Sequence, residues 1–279
     1  MKGRVRVAVK VYYDGRYFNG FQRQPGGNTV ENKLIEVLTE MKIFHDLRSA
    51  RWGYASRTDR GVSAIGQVIA FNTDAAVYDR MMEEGLMWIN VRIMPNIMLW
   101  AFSRVSNNFD PRRKARMRIY RYVSPYRGED IESLKIACNV LSGVHDYEFL
   151  AKPDSGRSGV REIYISVNRK GEFLIFEIRG RSFYRYLIRK IIGAILAVGR
   201  GELDIDELRY HLERKIRLEV KPARPEGLIL WDITYDNINF KVDLRSIKYI
   251  RGILSKEILD VAYTYGTKTE SFEFFSSLS

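Results

Sequence analysis

The sequence predicts an α+β protein of two halves, each built from mainly antiparallel strands interspersed with helices. Three observations carry that expectation. Apolar and polar residues alternate over short runs in both halves, the period of strands. Capped helical segments stand between groups of these runs instead of following each one. Near the middle, Pro111 is followed by five cations within residues 112–118, a break that divides the chain into residues 1–108 and 109–279. No fixed-period repeat relates the halves.

Taken in order, Val5, Val7, Val9 and Val11 predict a half-buried strand that ends in a turn at Asp14-Gly15. Thr29 can cap a helix with Val30, Leu34, Val37, Leu38 and Met41 on one face. Residues 51–56 and 66–71 read as strands around the turn Arg57-Thr58-Asp59-Arg60-Gly61, where Gly61 permits a backbone other residues resist. A helix over about 78–88 and a strand over 97–105 complete the first half. In the second half, the strand at 118–124 puts Arg118, Tyr120 and Tyr122 on one face. A helix over 129–141 and a hairpin over 161–180, turning near Lys170-Gly171, come next. The helix at 183–198 carries apolar residues over far more than one stripe, which predicts burial, and stops at Gly199 and Gly201. Asp204 with Glu207 opens another helix ending near Arg217, residues 227–235 form a late strand, and the segment after Asp236 reads as mixed helix and loop.

The charge balance, 46 Lys and Arg against 34 Asp and Glu, gives +12 and favours a polyanionic partner over a merely soluble basic surface. With 17 tyrosines on which unpaired bases can stack, RNA fits better than duplex DNA, for which no helix-turn-helix or zinc finger is visible. Cys138 stands alone, so no internal disulfide forms, and His45, His145 and His211 lack zinc spacing, so no structural metal is expected. The N-terminus interleaves charge with valine, unlike a signal peptide, and the apolar run 191–199 is too short to span a bilayer. No membrane association and a cytoplasmic location are the expectation.

Two constellations could carry chemistry. One is the lone carboxylate of Asp59 between Arg57 and Arg60, open to a catalytic reading or to that of a surface turn with an incidental ion pair. The other is the pair Arg185 and Arg189, four apart on the buried helix and on one side with Ile192 and Leu196. A buried guanidinium needs an anion, although both could instead reach the surface or grip phosphates.

Five stretches together resemble the tRNA pseudouridine synthase A family, in order and over most of the chain: YYDGRYFNGFQRQPGGNTVENKL, SRTDRGVSAIGQVIAF, RIYRYVS, RSFYRYLIRKIIGAILAVGRGEL and ARPEGLILWDITY. The resemblance implies an isomerase that detaches uracil from its ribose and rejoins it through C5, with no cofactor or metal. It implies the pseudouridine synthase fold, two similar halves whose sheets join around a basic central cleft, and a homodimer acting on the tRNA anticodon arm at positions 38 to 40. By position in the motifs, Asp59 is similar to the nucleophile, and Tyr120 to the residue packing on the base and assisting proton transfer at C5. Arg189 is similar to the aspartate's ion-pair partner, Leu228 to an apolar pocket residue, and Arg57 to the arginine that takes the flipped nucleotide's place. Arg60 and Tyr122 are further substrate-binding candidates. Ser63 stands where bacterial members commonly carry histidine, closer to archaeal and eukaryotic relatives, some of which modify other tRNA positions or other RNAs. A noncatalytic RNA-binding protein of the same fold would not need an Arg-Thr-Asp turn paired with a buried-helix arginine.

Overall fold

The computed structural model describes residues 3–152 and 158–276. The first strand, β1 (Arg4–Tyr13), forms where the valines alternate, but nine of its ten residues are buried, so it is not half-buried as the alternation predicted. The polar face explains the difference. Arg6 is enclosed by the carbonyls of Phe109 and Arg51 and the side-chain oxygen of Asn72, and Lys10 pairs with Asp232 between the rings of Trp100 and Phe240. Cationic side chains with long apolar stems can be covered when most of the donors on their heads find partners in this way, although Arg6 Nη2 makes no such bond.

Thr29 caps α1 (Val30–Glu40) as expected, its hydroxyl accepting from the Asn32 N–H at 3.2 Å. After the short α2 (Leu47–Ala50), the strands β2 (Gly53–Tyr54) and β3 (Ser63–Asp74) flank the Asp59 turn, and Gly61 takes φ +83°. The single helix expected over 78–88 is two, α3 (Ala75–Glu84) and α4 (Met87–Asn90). Gly85, at φ +76°, ends the first. The Asp243 carboxylate then accepts the Leu86 N–H at 2.8 Å just ahead of the second, a tie supplied from late in the chain.

β4 (Ile97–Val105) has the predicted bounds. Then come β5 (Met117–Pro125), α5 (Ile131–Val140) capped by Asp130, β6 (Gly143–Asp146), and the hairpin β7 (Val160–Lys170) with β8 (Phe173–Gly180). The arginine helix α6 (Leu187–Gly199) is buried as predicted but starts four residues late. Tyr186 stands before it in the left-handed region at φ 63°, so Arg185 precedes the helix instead of sharing a face with Arg189. α7 (Ile205–Arg214) and β9 (Leu228–Thr234) follow. The last segment is not mixed helix and loop but β10 (Lys241–Val242) and one long helix, α8 (Leu244–Ser276).

All these strands belong to one sheet of order β10-β4-β1-β3-β9-β5-β8-β7-β6, with β2 beside β3. Pairing is antiparallel except between β3 and β9, which run parallel where the two halves meet. Close approach there requires glycine: a β-carbon on Gly66 would lie 2.5 Å from Asp232 Cα and 2.6 Å from the Trp231 carbonyl oxygen. The Lys10–Asp232 pair spans the same junction, and the apolar core is continuous across it. Because β3 and β9 are parallel, Ser63 lies beside Ile229, and antiparallel β5 sets Tyr120 against Leu230. The Asp59 turn, the start of β9 and the tyrosine strand therefore converge at one end of the junction.

Candidate active site

The turn carrying Asp59 is clamped on both sides. Gln67, fully buried in β3, accepts the Ser56 N–H at 3.1 Å and donates to the Ser56 carbonyl at 2.7 Å. Thr58 shares a 2.7 Å hydrogen bond with the Tyr13 hydroxyl, and its carbonyl accepts the Phe21 N–H at 3.2 Å. Gly20, at φ +95°, makes that approach possible, since a β-carbon would lie 2.8 Å from the Thr58 carbonyl oxygen. A turn held at so many backbone points presents its carboxylate with little freedom.

Arg189 sits in the first turn of α6. Its Nε donates to the Ala223 carbonyl at 2.7 Å, and the Ala223 N–H returns a 2.8 Å bond to the Arg189 carbonyl. This leaves Nη1 3.5 Å from Asp59 Oδ2, while Arg185 Nε stands 3.9 Å from Oδ1. Both are charge pairs longer than a normal N–H···O bond, so the arginines meet Asp59 as ion pairs and not as hydrogen-bond donors. Arg189 is the less screened partner, with a side chain 14% exposed against 71% for Arg185. The Tyr186 ring lies under both cations, 4.8 Å from Arg185 and 5.6 Å from Arg189. Its left-handed backbone costs on the order of 1 kcal/mol, held where it orders two arginines around one carboxylate.

On the opposite wall Tyr120 is almost wholly buried, its ring edge-on to Phe183 and its hydroxyl 2.9 Å from Ser56 Oγ. Burial pushes the phenol above its ordinary pKa, with the Ser56 hydrogen bond and the Arg118 charge acting the other way. Arg118 is also buried, and donates to the carbonyls of Ala55 at 2.7 Å, Arg112 at 3.1 Å and Arg181, so one guanidinium joins three walls.

Between these walls lies a cavity of about 1080 Å³ lined by nine arginines and one carboxylate, that of Asp59. Tyr120, Arg189, Leu228, Arg57 and Arg60 all line it, so the structure brings six of the seven sequence candidates together. Tyr122 is not on the wall; it is buried against Phe176 and beneath Gly227, and burial raises its pKa as well. Sequence reasoning passed over Ser56, Phe183, Tyr186, the facing loop at 19–27 and Gln67. A buried amide in the apolar run GQVIAF was the visible signal for Gln67. Ser63 ties its hydroxyl to the Gly15 N–H at 3.0 Å instead of lining the cavity. Among the described residues no three His, Cys, Asp or Glu gather to hold a metal, and no helix is long and apolar enough to cross a membrane.

Residues 137–236, the stretch that includes Arg189 and Leu228, match a family profile described as tRNA pseudouridine synthase. The tRNA pseudouridine synthase A of Thermococcus sibiricus is 38% identical over 270 residues, covering 96% of this chain and 98% of that protein. Those of Pyrococcus furiosus and Archaeoglobus fulgidus are 38% and 35% identical, covering 88% and 97% of this chain and 89% and 97% of their own.

Proposed function

The chain belongs to the tRNA pseudouridine synthase A family, isomerases that convert uridine to pseudouridine, and on that premise we propose that it modifies tRNA with Asp59 as its reacting group. One observation carries the reading: a single carboxylate, ion-paired to a nearly buried arginine, faces a cavity whose other charged residues are all arginines.

The reaction breaks the N1–C1′ bond and forms a C5–C1′ bond; a proton leaves C5 and N1 gains one. The target uridine must first leave its stack, a cost of roughly a few kcal/mol offset by contacts in the cavity. Arg189 and Arg185 face the Asp59 carboxylate at 3.5 and 3.9 Å and orient it to attack C1′ or to take the 2′ proton. Tyr120, kept neutral by burial, can accept the C5 proton only while passing on its own, and Ser56 Oγ is its hydrogen-bonded neighbour. Leu228 supplies an apolar surface to the base, and Arg57 and Arg60 compensate phosphate charge.

The finer reading is modification of the anticodon arm, at positions 38 to 40, by a cytoplasmic homodimer organised in halves 1–108 and 109–279. It rests on the motif resemblance. The test is nucleoside analysis of position-resolved tRNA transcripts after incubation with the purified protein. Pseudouridine in the anticodon arm is the expected product, and none anywhere in the transcripts overturns the reading.

A further inference from the structure

On the far side of the 110–114 turn lies a second cavity, of about 370 Å³, with Arg6, Arg51, Trp52, Arg113 and Lys114 on its wall. It holds four cations and one acid, Asp110, whose Oδ1 is already occupied by the N–H groups of Arg112 and Arg113.

Arg6 is the unusual member. Only 4% of it is exposed, and among the described residues no carboxylate lies within ion-pair distance. Of the five N–H donors of its guanidinium, Nε takes the Phe109 carbonyl at 2.7 Å. Nη1 takes the Arg51 carbonyl at 3.1 Å and Asn72 Oδ1 at 3.0 Å. Nη2 makes no hydrogen bond to the described residues and is not sealed from solvent, so its two protons are open to an incoming acceptor. Nη2 lies beside Gly53, where a β-carbon would come within 4.0 Å of it and 3.3 Å of Pro111. Burial first, and then the neighbouring Arg51 charge, disfavour the charged form of Arg6, with the Asp110 charge acting the other way; a further anion in the cavity would act with Asp110. Arg51 is held at φ 45°, in the left-handed region, with Nη1 on the Asn107 carbonyl at 2.9 Å.

We infer that this cavity binds a phosphodiester of the RNA substrate, with Arg6 Nη2 as the fixed donor and Arg51 and Lys114 as the cations around it. A buried guanidinium with paired free protons suits a phosphate oxygen better than an ammonium does. The source is RNA and not a free phosphate, because Arg113 lines this cavity and the Asp59 cavity alike, making the two one cationic track. This step rests on the proposed tRNA substrate.

The test is the salt dependence of tRNA-transcript binding for the native protein and for Arg51→Gly/Lys114→Ala. Both sites are exposed, and glycine suits the left-handed backbone at residue 51. A far-ultraviolet dichroism melt verifies folding. The expected result is a dissociation constant raised roughly tenfold at low salt. The slope of log affinity against log salt should also flatten by about 0.7 to 0.9, one phosphate contact. An unchanged slope and affinity in the folded variant overturn the inference while leaving the tRNA reading intact; a native protein that fails to bind or modify tRNA overturns the latter. Titration with inorganic phosphate distinguishes the sources: saturable phosphate binding lost in the variant, with an unaltered tRNA slope, would make this a free-phosphate site.

Discussion

Replacing Arg189 with methionine removes the charge that faces Asp59 while keeping an unbranched side chain in the first turn of α6. At 3.5 Å the pair is worth about 4.7 kcal/mol at an effective dielectric near 20 and about 1.2 kcal/mol in bulk water. Side-chain exposures of 14% and 26% place it between those limits, at roughly 3 kcal/mol. Arg185 cannot substitute, since it stands farther away and is mostly in solvent. If that energy supports the carboxylate in the transition state, the single-turnover rate falls about 100-fold. Arg189→Lys keeps a charge, but one ammonium cannot both replace the Nε bond to Ala223 and face Asp59, so a loss of at least tenfold is expected there too. The assay is tritium release from tRNA carrying 5-tritiated uridine, at saturating enzyme, with circular dichroism to verify folding. A folded Arg189→Met protein within threefold of the native rate would refute the reasoning.

Tyr120→Phe keeps the ring against Phe183 and deletes the hydroxyl bonded to Ser56, so uracil should detach and stall before the C5 proton leaves. Rapid pseudouridine formation in that variant would reduce Tyr120 to packing. Gly66→Ala forces a β-carbon onto backbone atoms of β9 that cannot yield, and should lower stability by about 1–3 kcal/mol in denaturant titration; an unchanged midpoint would mean that the junction is looser than described. Tyr12 is raised by burial to about 12, and Tyr13, Tyr147, Tyr184 and Tyr235 are raised likewise. Between about pH 10 and 12 the native state therefore holds more protons than the unfolded chain, so stability should fall as pH rises through that window and be flat with respect to tyrosine below it. Alkaline unfolding followed by tyrosine absorbance should show ionisation and loss of structure together; ionisation within an intact fold would contradict the burial.

Local periodicity and caps made most elements legible. Thr29 and Asp204 each open the helix they were expected to open, and the valine run and residues 97–105 are strands. What could not be read depends on partners distant in the chain. The break at Gly85 is completed by Asp243, 158 residues later by number. Burial of both faces of β1 depends on Phe109 and Asp232, and the insertion of β9 between β3 and β5 depends on a glycine whose tolerance for a neighbouring backbone leaves no periodic trace. Within the site, Asp59, Tyr120 and Arg189 stood in recognisable motifs. Tyr122 shares its strand face with Tyr120 yet ends below the cavity, because alternation sets a side without setting depth.

The central claim, that the one carboxylate among nine arginines is the reacting group, is tested most directly by Asp59→Asn. The substitution preserves shape and removes the charge that can act on the ribose. Single-turnover tritium release and tRNA binding should be measured on the same preparation. The account predicts that release is abolished while the dissociation constant stays within a few-fold of native, because binding comes from the cations. Tritium release at the native rate by Asp59→Asn would contradict it.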